Sequence, residues 1–230
     1  MMSCITVPDV VPNASKGQIQ VIFGPMFSGK TTELIRRMKR FKFANYECMI
    51  IKYAHDARYD ADAVATHDNQ TLEATKATEL IPLREQCRPY EVIGIDEGQF
   101  YPDIVPFCEE MASLGKTVIV AALDGTYQRK QFADILQLVP LAESVIKLNA
   151  VCMICYGEAA FTKRKGAEKE VEVIGGAEKY LAVCRQCFVS PIKEASPKRI
   201  NMTPFLRPGG QSKSQVRKLF DSPQKMEEAL

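Results

Sequence analysis

Along the chain, short apolar runs alternate with longer stretches in which apolar positions recur every three or four residues. QIQVIF (18–23) predicts a strand. The stretch TTELIRRMKRFKFANY, from Thr31, places Leu34, Ile35, Met38 and Phe41 at helical spacing, with Arg and Lys between them. CMIIK (48–52) is a further short apolar run. EVIGID (91–96), KTVIVAAL (116–123) and ESVIKL (143–148) predict strands. DIVPFCEEMASLG (103–115) predicts a helix, with Pro106 tolerated only in its first turn and Gly115 as its stop. Strands alternating with helices predict an α/β fold, a mostly parallel sheet with helices on both faces. Ligands bind such sheets beyond the carboxyl ends of the strands. A glycine loop after Phe23, DEGQF (96–100) and DGTYQRK (124–130) all fall there.

Composition narrows the class. The 230 residues, 46% hydrophobic, suffice for one well-buried domain and a small appendage. No apolar run approaches the roughly 20 residues of a membrane span. MMSCITVPDVVPNASKG has neither a basic start nor a long apolar core, so 1–17 reads as a flexible leader and the expected location is cytoplasmic. The net charge is only +2, and residues 191–230 alone carry +4, so the remainder is mildly acidic at −2. Direct nucleic-acid binding is therefore not expected, nor is a membrane partner. The Pro-, Ser- and Lys-rich segment 191–230 reads as a disordered basic tail. The domain organisation expected is a nucleotide-binding α/β domain over 18–149 and a cysteine lobe over 150–190.

Three motifs carry chemistry. The first is Gly24-Pro25-Met26-Phe27-Ser28-Gly29-Lys30-Thr31, which has the spacing of a P-loop between a strand and a helix. Its glycines let backbone N–H groups approach a phosphate, Lys30 would neutralise phosphate charge and Thr31 would ligate Mg²⁺. In the second, VIGIDEGQF, an apolar strand ends in Asp96, where P-loop proteins hold a carboxylate near the metal. Glu97 then stands where a motor ATPase would activate water or a kinase would take a proton from a substrate hydroxyl. The dipeptide by itself serves either. The third is Cys152-x-x-Cys155 with Cys184-x-x-Cys187, four thiolates that suit a closed tetrahedral Zn²⁺ site of structural kind. The 28 residues between the pairs exceed the usual spacing, so a loop is extruded from the lobe. Its VEVIGGAEKY (171–180) reads as a flap or a solvated hairpin. Arg58, Arg129 and Lys130 are candidates for further phosphate contacts. His55 and His67 lack metal-ligand spacing with the cysteines.

Taken together, GPMFSGKTTEL, VIGIDEGQFYPDI, KTVIVAALDGTYQRK, LVPLAESVIKL, VCMICYGEAAFTKR, EKEVEVIGGAEKY and VCRQC resemble the type II thymidine kinases over about residues 18–190. The resemblance implies transfer of a phosphoryl group from ATP to the 5′-hydroxyl of thymidine, with deoxyuridine as a further substrate. It also implies Mg²⁺, structural Zn²⁺, a homotetramer and dTTP as feedback inhibitor. It makes Glu97 the catalytic base. It sets Gly24 to Thr31, Asp56, Ala57, Arg58, Asp96, Gly98 and Gln99 at the ATP and metal. Met26, Phe100, Tyr127 and Tyr180 would pack around the nucleoside, and the main chain of Val171, Glu172, Val173, Ile174 and Gly175 would read the thymine. Tyr127 departs from the phenylalanine of vertebrate members, which bears on nucleoside preference. Two alternatives are a nucleic-acid-dependent ATPase with a zinc ribbon and a non-catalytic zinc module. In the tail, Ser190-Pro191, Ser196-Pro197 and Arg217-Lys218-Leu219-Phe220 have the form of cell-cycle kinase sites with a docking segment.

Overall fold

The apolar runs become the strands of one sheet. The computed structural model describes residues 17–55, 63–65, 71–166, 170 and 175–191, with the backbone alone for 63–65 and 71–73. Asp56, Ala57, Arg58, His67, Val171 to Ile174, the leader before Gly17 and the tail after Pro191 lie outside the described residues.

In chain order the elements begin β1 (Gln18–Phe23), α1 (Lys30–Phe43), β2 (Cys48–Tyr53), β3 (Ala63–Ala65), β4 (Thr71–Glu73), β5 (Thr75–Ala77) and α2 (Arg84–Cys87). β6 (Val92–Ile95), α3 (Ile104–Ser113), β7 (Thr117–Ala122) and β8 (Ser144–Lys147) follow. Six of the strands form one sheet in the order β5-β2-β6-β7-β1-β8, every pairing parallel. β7 lies between β1 and β6, with Val21 opposite Val120 and Ile95 also opposite Val120.

Alternation along the strands builds two cores. Ile19, Val21 and Phe23 of β1, with Val118, Val120 and Ala122 of β7, pack with Ile104, Phe107, Cys108 and Met111 of α3. Ile22, Ile119 and Ala121 point the other way, against Leu34, Ile35, Met38 and Phe41 of α1. The helical stripe seen in the sequence is thus the buried face of α1. At Gly94 a Cβ would lie 2.9 Å from the Met38 sulfur, so glycine lets α1 sit close on β6. α3 begins at Ile104, which puts Pro106 in its first turn, and Gly115 takes φ +84° just past its end. The Asp103 carboxylate before α3 does not cap it. It accepts the N–H groups of Leu80 (2.8 Å) and Ile81 (2.7 Å) and so pins a distant loop.

The sequence pattern does not predict β5: three residues, Thr-Lys-Ala, at a sheet edge leave no periodicity to read. The cysteine lobe contains β9 (Ala150–Val151), β10 (Glu158–Ala159), β11 (Phe161–Arg164), β12 (Tyr180–Val183) and α4 (Arg185–Val189). β9 pairs with β10 and β11 with β12, both antiparallel. The extruded stretch is therefore the connection of the β11–β12 hairpin. The lobe's own core is small: Ala150, Cys152, Ala159, Ala182 and Val183.

Candidate active site

Chain reversal between β1 and α1 forms the glycine loop. Gly24 takes φ +154°, and a Cβ there would lie 2.6 Å from the Leu148 carbonyl oxygen. Gly29, at φ +81°, caps α1, so the helix N-terminus and its partial positive charge face the loop. Lys30 Nζ reaches back over the loop to the Pro25 carbonyl at 2.8 Å. Ser28 Oγ is buried with no protein partner among the described residues, a polar atom that a bound phosphate could satisfy.

Asp96 lies one residue past β6 and is 7% exposed. The Thr31 hydroxyl is shared between its two carboxylate oxygens, at 3.2 Å from each. This cluster of hard oxygen donors fits a Mg²⁺ ion. Glu97 then adopts a left-handed backbone (φ 53°, ψ 42°), a conformation that costs a non-glycine residue about 1–3 kcal/mol. That turn takes Glu97 off the line of β6. Gln99, 3% exposed, donates from Nε2 to Glu97 Oε2 at 2.6 Å, and its Oε1 accepts the Leu123 N–H at 2.9 Å. The carboxylate is thus held from the end of β7. Burial, with Asp96 and Glu97 nearby, raises the Tyr101 hydroxyl far above its ordinary value.

Gly98 makes this turn compact. A Cβ there would stand 2.5 Å from Val120 Cγ1, a stiff branched side chain in the core. Gly98→Ala is expected to cost about 1–3 kcal/mol by overpacking, read as a lowered denaturation midpoint. An unchanged midpoint would show that the turn relaxes freely.

Aromatic rings line the next part of the site. Phe100 stacks on Tyr53 (centroids 4.9 Å apart) and meets Phe132 edge-on at 5.5 Å. The lobe closes on the glycine loop through β11: Thr162 Oγ1 accepts the Met26 N–H at 3.0 Å. Phe27, at φ 64°, packs on the lobe's small core. Met26 and Phe27, two of the four residues the P-loop pattern leaves free, therefore fasten loop to lobe. Arg129 also turns to the lobe, with its guanidinium 4.4 Å from the Phe188 ring centroid and 5.6 Å from that of Phe161. It is a stacking residue here, where the sequence made it a candidate for phosphate. Tyr127 and Tyr180 both meet Arg164. His55 lies edge-on to Tyr53. Sequence pattern does not single out Tyr53, Thr162 or Arg164; the buried positions of β11 are the polar Thr162 and Arg164, so no apolar alternation marks them.

The sulfurs of Cys152, Cys155, Cys184 and Cys187 all lie within 4.8 Å of one another. Cys155 Sγ and Cys184 Sγ are 3.7 Å apart, against about 3.8 Å for two thiolates on a tetrahedral zinc. The four can hold a zinc ion. Burial works against ionisation of Cys152, but the N–H groups of Cys155, Cys184 and Ile154 outweigh it and bring the thiol down to about 6. The Cys187 N–H, 3.5 Å from Cys184 Sγ, lowers Cys184 likewise. Cys187 is pushed up to about 12 by burial and by the neighbouring sulfurs. Crowded thiols resist full ionisation until a cation joins them.

A glycine loop opening a helix, with a carboxylate beyond a parallel strand two places away, defines a P-loop nucleotide-binding protein. A family model described as thymidine kinase matches residues 17–188. The chain is 64% identical over 190 residues to "Thymidine kinase, cytosolic" of Gallus gallus, covering 81% of this chain and 85% of that protein. It is 57% identical over 224 residues to the Cricetulus griseus protein of that name, covering 95% of each. To "Thymidine kinase" of Vaccinia virus (strain Western Reserve) it is 58% identical over 173 residues, covering 75% of this chain and 97% of that one. The chain belongs to the thymidine kinase family, and it is an enzyme. These findings lend no support to the nucleic-acid-dependent ATPase or to a non-catalytic zinc module. No helix of the described residues is long and apolar enough to cross a membrane.

Proposed function

We infer that this enzyme transfers the γ-phosphoryl group of ATP to the 5′-hydroxyl of thymidine, giving dTMP for nucleotide salvage, and that it acts in the cytoplasm. The observation that carries the mechanism is the placing of Glu97. It follows the carboxylate that touches Thr31, and Gln99 holds its side chain.

An alcohol is a poor nucleophile, and Glu97 takes its proton as the bond to phosphorus forms. The loop from Gly24 to Thr31 binds the phosphates through backbone N–H groups and the α1 terminus, and Lys30 balances their charge. Thr31 and Asp96 are the residues that would hold Mg²⁺, which when bound neutralises charge on the transferring group. Asp56, Ala57 and Arg58 complete the phosphate contacts. Phe100, Tyr127, Tyr180 and Met26 enclose the nucleoside, and the main chain from Val171 to Gly175, including Glu172, reads the thymine. Such enclosure keeps water from competing as acceptor. The four cysteines hold a structural zinc, since sulfur donors leave no open position.

Because dTTP carries both the thymine and a triphosphate, it fits the same site as an end-product inhibitor. A homotetramer and cell-cycle phosphorylation of Ser190 and Ser196 are parts of the reading that rest on sequence alone.

Incubation with γ-labelled ATP and a panel of nucleosides tests the assignment. Label is expected in thymidine monophosphate first and deoxyuridine monophosphate second. Release of labelled phosphate without a labelled nucleoside, stimulated by single-stranded DNA, would instead support a motor ATPase.

A further inference from the structure

We propose that Arg164 is a positioning residue for the nucleoside, setting the Tyr127 and Tyr180 side chains around the place of the base and tying the Glu170 main chain to them. The proposal rests on the thymidine kinase reading.

Arg164 ends β11 and is only 6% exposed. A buried guanidinium is costly to desolvate, and hydrogen bonds from its two Nη groups offset part of that cost. Nη2 donates to the Tyr180 hydroxyl at 2.8 Å, and Nη1 donates to the Glu170 carbonyl oxygen. The guanidinium carbon also sits 3.9 Å from the Tyr127 ring centroid and 5.3 Å from that of Tyr180. One planar group therefore joins the loop after β7, the first residue of β12 and Glu170. A guanidinium can donate in its plane while stacking through its face; an ammonium cannot do both.

The Tyr127 hydroxyl accepts a hydrogen bond from Gln128 Nε2 at 3.0 Å, so its ring face stays available for this contact while its polar end is bonded. Two residues earlier on the same face of β11, Thr162 accepts the Met26 N–H of the phosphate loop. In a strand that spacing is about 6.6–6.8 Å. Alternate residues of β11 thus meet the loop that holds the phosphates and the aromatic pair that flanks the nucleoside.

The test compares wild type, Arg164→Lys and Arg164→Met, each with its zinc content and melting midpoint measured. Both variants are expected to raise KM for thymidine about tenfold or more while KM for ATP and bound zinc stay within about twofold. Cleavage by a glutamate-specific protease after Glu170 is expected to quicken in both. A lysine variant matching wild type would overturn the proposal, as would equal rises in both KM values with a lowered midpoint. If wild type does not phosphorylate thymidine, the enzymatic reading fails by itself. The cleavage rates still decide, and unchanged rates overturn the hold on Glu170.

Discussion

Glu97→Gln is expected to bind ATP and thymidine as wild type does and to transfer phosphoryl about a hundredfold or more slowly. The substitution keeps shape: an amide oxygen at position 97 can still accept from Gln99 Nε2, now at 2.6 Å from the carboxylate. Gln99 itself stays anchored by the Leu123 N–H. What disappears is the capacity to accept a proton from the 5′-hydroxyl. Rapid-quench single turnover separates this from binding, because the chemical step is read with both substrates already in place. Calorimetry supplies the two affinities. A single-turnover rate near that of wild type would remove Glu97 from the role of base.

Cys184→Ser is expected to release zinc, lower the melting midpoint and abolish thymidine phosphorylation. The lobe's core consists of five small residues, too little apolar surface to order 40 residues without help. Zinc bound to four thiolates is worth about 10–16 kcal/mol in small zinc-binding domains, and there it is folding energy. Position 184 is severe because its sulfur also accepts the Cys187 N–H at the start of α4. Loss of order would reach the site by a defined path. β12, next to Cys184, pairs with β11, and β11 carries both Thr162 and Arg164. A strong chelator acting on wild type should reproduce the result. A soluble, metal-free variant with full activity would show that the lobe is dispensable.

Much of this molecule is legible before it folds. Leu34, Ile35, Met38 and Phe41 announce the buried face of α1, and the runs at 18–23, 48–52, 91–96 and 116–123 become the four inner strands β1, β2, β6 and β7. Such elements are buried on one or both faces, so their periodicity records their surroundings. β5 escapes because an edge strand of three polar or small residues records almost nothing. Asp103, just before α3, bonds to the distant Leu80 and Ile81. Arg129 has the look of a phosphate ligand but stacks on Phe188. Polar side chains reach far, and their partners lie at sequence distances no local pattern encodes.

The sequence by itself determined the phosphate loop, the Asp96–Glu97 pair and the four cysteines that can hold zinc, because each needs fixed residue types at fixed local spacing. Only the tertiary structure decided how these parts meet. Parallel strand order carries Asp96 to Thr31, the left-handed turn at Glu97 lets Gln99 hold the carboxylate, and β11 joins the lobe to the phosphate loop. The physical reason is that long-range contacts are chosen by packing and by the need to satisfy buried polar groups, terms that exist only once distant segments share one interior.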